Sequence, residues 1–194
     1  MARTMIFPAG RTKQQDGRIQ TVEDRKNSEN FWIGHIDAAV AEVFAMMLQM
    51  PCNAVDEAPE TNVLISARIE FSGVIDGDCV VRIPVRAAER LTDMLLDAEG
   101  DWDDEMIDDA VGELCNMIAG GWKSRFGMDA KCQISVPAVS RLSTDEAPGE
   151  DGGVMRRFYG FEGDTLEVAM ALRRAEPGGC ADCRPVPFPS RLIA

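Results

Sequence analysis

The sequence predicts an α+β domain, with helices packed on one face of a largely antiparallel sheet. Three observations carry this. Residues 63–71 and 166–172 place an apolar side chain at every second position, the period of a strand with one well-marked apolar face. Residues 36–47 and 107–122 repeat apolar residues every three or four positions, the period of helices. Asp76-Gly77-Asp78 and Glu162-Gly163-Asp164 are tight-turn signals between neighbouring strand runs.

Taken along the chain, residues 1–29 are polar, mixed in charge and without periodicity, and read as a flexible extension. A helix is expected from near Asn30, with Ile36, Val40, Val43, Phe44 and Met47 as its apolar stripe and Pro51 soon after its end. Residues 52–60 read as a loop. Val63, Ile65, Ala67, Ile69 and Phe71 mark the inner face of the first strand. The returning strand buries Cys79, Val81, Ile83 and Val85. A short helix follows on Ala87, Leu91, Met94 and Leu95, ended by Gly100. The long helix runs from about Asp103 to about Arg125, closed by Gly127. Lys131 to Val139 is a strand that Pro137 confines to an edge or a bulge. Residues 142–153 form a polar loop, and Val154–Phe161 and Leu166–Leu172 form the last hairpin. Residues 30–173 are thus the domain, and 174–194 a tail containing Pro, Gly and Cys.

Composition narrows the function. A net charge of −13 argues against non-specific nucleic-acid binding, which needs cations to neutralise phosphates. No apolar run reaches membrane-spanning length, and the start of the chain lacks the apolar core of a secretory signal. A cytoplasmic location is the default expectation. Cys79, Cys115 and Cys132 fall at core positions of their elements, where free thiols act as small hydrophobes. Cys180 and Cys183 have motif-like spacing, but no second close pair completes a four-ligand zinc site. The lone His35, next to a helix start, reads as a cap or surface residue.

The long helix carries the candidate site. Ile107, Val111, Leu114, Ile118 and Trp122 fall in one sector, and Asp109, Glu113, Asn116 and Gly120 in another of about 60°, nearly opposite. A solvated face would explain that polarity, and carboxylates gather at helix N-termini for electrostatic reasons. Three details favour a functional stripe. It holds no Lys or Arg to pair with Glu113. Asn is a poor helix former, and Gly120 costs about 1 kcal/mol relative to Ala. The missing Cβ of Gly120 also leaves room for another backbone beside Asn116.

Glu113-Leu-Cys-Asn116-Met-Ile-Ala-Gly120 resembles the signature helix of the CheC/CheX/FliY family of chemotaxis phosphatases, and Asp109 matches the family's first motif position. Asp37-Ala-Ala-Val-Ala-Glu-Val-Phe resembles the first helix of CheX-type members. Phe71-Ser-Gly-Val-Ile-Asp-Gly and Ile134-Ser-Val-Pro-Ala-Val resemble their strand segments. The resemblance implies a CheC/CheX-like fold over residues 30–173 and a phosphatase that hydrolyses phospho-aspartate on a CheY-like response-regulator receiver. It implies that Glu113 pairs with the receiver's lysine and that Asn116 orients the attacking water. Asp109 would support partner contact, as would the open position at Gly120. No cofactor is expected on this chain; Mg2+ would belong to the receiver. A homodimer is implied too. At the places on the first helix that would make a second motif stand Asp37, Ala41 and Phe44, so one site per chain is expected. The competing readings are a non-catalytic receiver-docking or scaffold module of the same fold, and a structural subunit of the flagellar switch. An intact water-positioning amide favours the enzyme, and no recognisable switch domain is appended.

Overall fold

In a computed structural model of the chain, which describes residues 22–59, 63–128, 131–143 and 154–174, the alternating runs form one seven-stranded sheet. The described elements are α1 (Val22–Met47), β1 (Asn53–Val55), β2 (Val63–Gly73), β3 (Ile75–Pro84), α2 (Val85–Leu96), α3 (Asp104–Arg125), β4 (Cys132–Ile134), β5 (Ala138–Ser143), β6 (Val154–Phe161) and β7 (Asp164–Arg174). The sheet order is β1-β6-β7-β3-β2, and β4 and β5 share the outer edge of β2. Every pairing is antiparallel. The α+β class expected from the sequence is the one observed.

Register explains why one face is apolar. Ile65 lies opposite Ile83, Ala67 opposite Val81, and Ile69 opposite Cys79. The row continues with Val81 opposite Val168 and Cys79 opposite Met170. All of these are buried, together with Trp32, Ile36, Val40 and Phe44 of α1, Ala87, Ala88 and Leu91 of α2, and the inner face of α3. The three helices therefore cover the same side of the sheet. The other side carries ion pairs: Arg68 with Asp78 at 2.8 Å, and Arg82 with Glu167 at 2.8 Å, with Arg156 3.6 Å from the same Glu167 oxygen. Arg82 and Glu167 are both buried, so their mutual pairing is what makes those charges tolerable there.

Several local expectations need correcting. α1 begins at Val22, well before Asn30. Its first turns, Val-Glu-Asp-Arg-Lys, lack an apolar stripe, but adding charged helix formers to an established helix costs little. Met47 is exposed rather than part of the stripe, because Gln49 turns left-handed (φ 53°) and Leu48 closes the core instead. Asn53–Val55, read as loop, adds an edge strand to β6. Val63 is exposed at the start of β2. The reversal after β2 falls on residues 72–76, between the pair Phe71–Gly77, and not on Asp76-Gly77-Asp78. There Gly73 has φ 126°, and its N–H donates to Asp76 Oδ1 at 3.2 Å. Val85 opens α2 instead of ending a strand. α2 ends at the left-handed Asp97 (φ 50°), before Gly100. Lys131–Val139 divides into β4 and β5 at Pro137, and β5 continues to Ser143. The last hairpin turns on two residues, Glu162 (φ 48°) and Gly163 (φ 83°), as its sequence predicts. Residues 1–21 of the extension and 175–194 of the tail, with Cys180 and Cys183, lie outside the described residues.

Gly77 lies where β3 meets β7: a Cβ there would stand 2.2 Å from the carbonyl oxygen of Ala171. Gly77→Ala should lower unfolding free energy by about 1–3 kcal/mol, read as a lower midpoint in urea. An unchanged midpoint would show that this strand contact is looser than described.

Candidate functional site

α3 is fixed at both ends by its own sequence. Asp103 caps it, accepting from the Met106 N–H at 2.9 Å, and Asp104 and Glu105 stand in the first turn where the helix dipole favours anions. Lys123 and Arg125 occupy the last turn, and Gly127 follows with φ 62°. Side-chain contacts tie it to its neighbours. Arg141 of β5 reaches Asp104 at 2.9 Å and Asp108 at 3.0 Å, and Arg125 donates to the Ala38 carbonyl of α1 at 3.0 Å. Much of the acidic run is thus structural: a cap and two partners for one arginine.

The inner face sets the rotation of the helix. Ile107, Val111, Leu114, Ile118 and Trp122 are all buried, as their spacing predicts. The Cys115 thiol sits 3.5 Å from the Ala67 carbonyl of β2 and 3.7 Å from the Cys79 carbonyl of β3. These thiols behave as core atoms. A hydrogen bond to Cys115 and burial raise the Cys79 pKa, and burial pushes Cys52 up to about 12.

With that face fixed, the opposite stripe points outward. Asp109 and Glu113 are exposed, and Asn116 and Gly120 are half-buried. Asp109 and Asn116 are about 10 Å apart along the axis. Asn116 Nδ2 donates to Glu113 Oε2 at 3.3 Å. Among the described residues, no Lys or Arg pairs with Asp109 or Glu113. The structure therefore brings all four sequence-predicted residues onto one surface. At Gly120, apart from its chain neighbours and the backbone of its own helix, no atom of the described residues lies within 4 Å of where a Cβ would stand, so the space beside Asn116 is open.

The sequence reading missed two neighbours of this stripe. A Cβ at Gly112 would stand 3.3 Å from Pro137 and 3.4 Å from Val139, so this glycine lets the β4–β5 loop lie against the helix. A mid-helix glycine followed later by a strand proline is the only hint the sequence offers. The same loop holds Val136, which is 85% exposed.

α1 does not repeat the arrangement. Its Asp37 accepts from the Tyr159 hydroxyl at 2.7 Å and from Arg157 at 3.2 Å, while Phe44 is buried in the core. Burial, then the Asp37 carboxylate, raises the Tyr159 pKa. His35 is neither a cap nor a plain surface residue. It lies within α1, with ring centroids 4.7 Å from Phe31 and 4.5 Å from Phe126. The reason is that the helix starts earlier, which places His35 well inside it.

The outward stripe adds little to folding, which separates it from the cap. Glu113→Gln and Asn116→Ala should each leave stability within about 0.5 kcal/mol of wild type. Asp103→Ala should cost about 1 kcal/mol. Thermal unfolding of the three variants tests this; a large loss at Asn116 would make it a structural residue.

Residues 65–149 match the family model of the chemotaxis phosphatase CheX. The fold is similar to that of chemotaxis protein CheX from Vibrio vulnificus, at 16% identity and TM-score 0.62, over 76% of this chain and 99% of that one. It is also similar to a chain in the CheX-CheY-BeF3-Mg+2 complex from Borrelia burgdorferi, at 20% identity and TM-score 0.55, over 74% of this chain and 98% of that one. FliY from Thermotoga maritima shares the fold at 16% identity and TM-score 0.56, over 79% and 92%. No curated protein sequence matches the chain.

Proposed function

We propose that this chain, a CheX-like protein by the match over residues 65–149 and by its fold, accelerates hydrolysis of phospho-aspartate on a CheY-like receiver through Glu113 and Asn116. The observation that carries this reading is the outward pair itself: a carboxylate without a cation among the described residues and an amide beside it, on a helix held at both ends and along its inner face. Similarity to a CheX chain solved together with CheY supports the class of partner.

The chemistry asks little of the protein beyond placement. An acyl phosphate is already labile, so what remains to be supplied is a positioned nucleophile and charge stabilisation. A carboxamide suits a water, accepting through oxygen and donating through nitrogen, and it needs no pKa tuning. In the free chain the Asn116 nitrogen is engaged by Glu113, while its carbonyl oxygen has no protein partner among the described residues. On docking, Glu113 would leave the amide for the receiver's lysine, a stronger charge-assisted bond. The amide would then have both ends available, one for water and one for the phosphoryl oxygens. Asp109 would add attraction for a basic partner surface, and the open space at Gly120 would admit partner backbone. The divalent cation would be the receiver's. A homodimer belongs to the same reading and is testable by sedimentation.

The test is phosphate release from a phosphorylated cognate receiver. Wild type should accelerate it, and Asn116→Ala should lose about 100-fold of that acceleration while still binding. Glu113→Lys should weaken binding by at least about tenfold, because it would face the receiver's lysine with a like charge. Equal phosphate release by wild type and Asn116→Ala would refute the assigned mechanism. Binding without any acceleration by wild type would favour the docking-module reading.

A further inference from the structure

We infer that Val136 is an apolar docking contact for the receiver, set near Asn116 and adding affinity; this rests on the phosphatase reading above. The position follows from contacts along one flank of α3. Arg141 meets Asp104 and Asp108, Pro137 and Val139 meet Gly112, and the Cys132 carbonyl accepts from Lys123 at 3.3 Å. Asn116 lies on α3 between the last two, so the loop residues between Cys132 and Pro137 run along its flank.

The loop is held firmly. Ser135 N–H donates to the Glu70 carbonyl at 3.0 Å, and Glu70 N–H donates back to Ser135 Oγ at 3.0 Å. Ser135 Oγ also donates to the Val136 carbonyl at 2.9 Å. Pro137 restricts the next backbone angle and rests on Gly112. Yet Val136 is the most exposed large hydrophobic side chain among the described residues, at 85%. A β-branched residue with few rotamers, on a pinned loop, presents a fixed apolar surface at little entropic cost.

The stripe itself offers carboxylates and an amide. Its two unpaired acids call for a cation on the partner, and Val136 calls for an apolar patch next to that cation. A basic side chain bordered by apolar surface, at the phosphorylated end of a receiver, meets both needs. Val136 would touch neither the phosphoryl group nor the water, so it acts on affinity and not on the chemical step.

Steady-state kinetics on a phosphorylated CheY-like receiver, with binding titrations alongside, tests this. Val136→Asn, which adds polarity without charge, should raise KM and Kd at least about tenfold and leave kcat within twofold, whereas Val136→Ile should behave as wild type. Unchanged KM and Kd for Val136→Asn, with Asn116→Ala still inactive, would overturn the Val136 assignment and spare the catalytic one. A change in sedimentation with unaltered receiver affinity would instead make a second copy of this chain the occupant, and overturn it as well. An inactive wild type would defeat the phosphatase reading, while the binding arm would still decide whether Val136 contacts the receiver.

Discussion

Burial of one face of α3 on β2 and β3 is the constraint from which the site follows. Ile107, Val111, Leu114, Ile118 and Trp122 are taken out of water together. At about 25 cal/mol per Å2 of apolar area, a rotation that exposed even one or two of them would cost a large part of a typical domain's net stability. The helix therefore has one rotational setting. Asp109, Glu113 and Asn116 are outward because their opposite numbers are inward, and no contact of their own is needed to hold them there. Such a site can be varied without unfolding the protein, and it is placed to within the tolerance of a packed core.

The charges around the helix divide by partner. Asp103, Asp104 and Asp108 are engaged by the cap and by Arg141. Arg68, Arg82, Asp78 and Glu167 are paired across the far side of the sheet. Against this background, no Lys or Arg among the described residues pairs with Asp109 or Glu113. Among the described residues, Glu113 meets only the weak, exposed donor of Asn116, a bond readily exchanged for an ion pair with a partner. The same logic separates α1, whose Asp37 is engaged by Tyr159 and Arg157 and so is unavailable to a partner.

The sequence made the strongly periodic elements and the stripe legible, because both depend on spacing along one segment. α3 was placed almost to its ends, since Asp103 and Gly127 mark them with known cap chemistry. What it did not show depends on other segments. Gly77 looked like a turn residue, but it stands where the Ala171 carbonyl of β7 leaves no room for a Cβ. Asn53–Val55 is a strand only because β6 offers an open edge. Gly112 matters through its contact with Pro137 and Val139, some two dozen residues later, which no local pattern encodes. The family resemblance named roles for Glu113 and Asn116; the fold supplies the reason that both face the same way.

The central claim is that the outward stripe of α3 is this protein's half of an active site completed by a receiver. Amide and side-chain NMR of the labelled chain, titrated with a phosphorylated CheY-like receiver, tests it most directly. The account predicts that the largest shifts cluster on Asp109, Glu113, Asn116 and Gly120, with Val136 at their margin, while Asp37 and the Arg82–Glu167 side of the sheet stay unperturbed. Shifts centred on α1 or on that far side, with the α3 stripe silent, would contradict it.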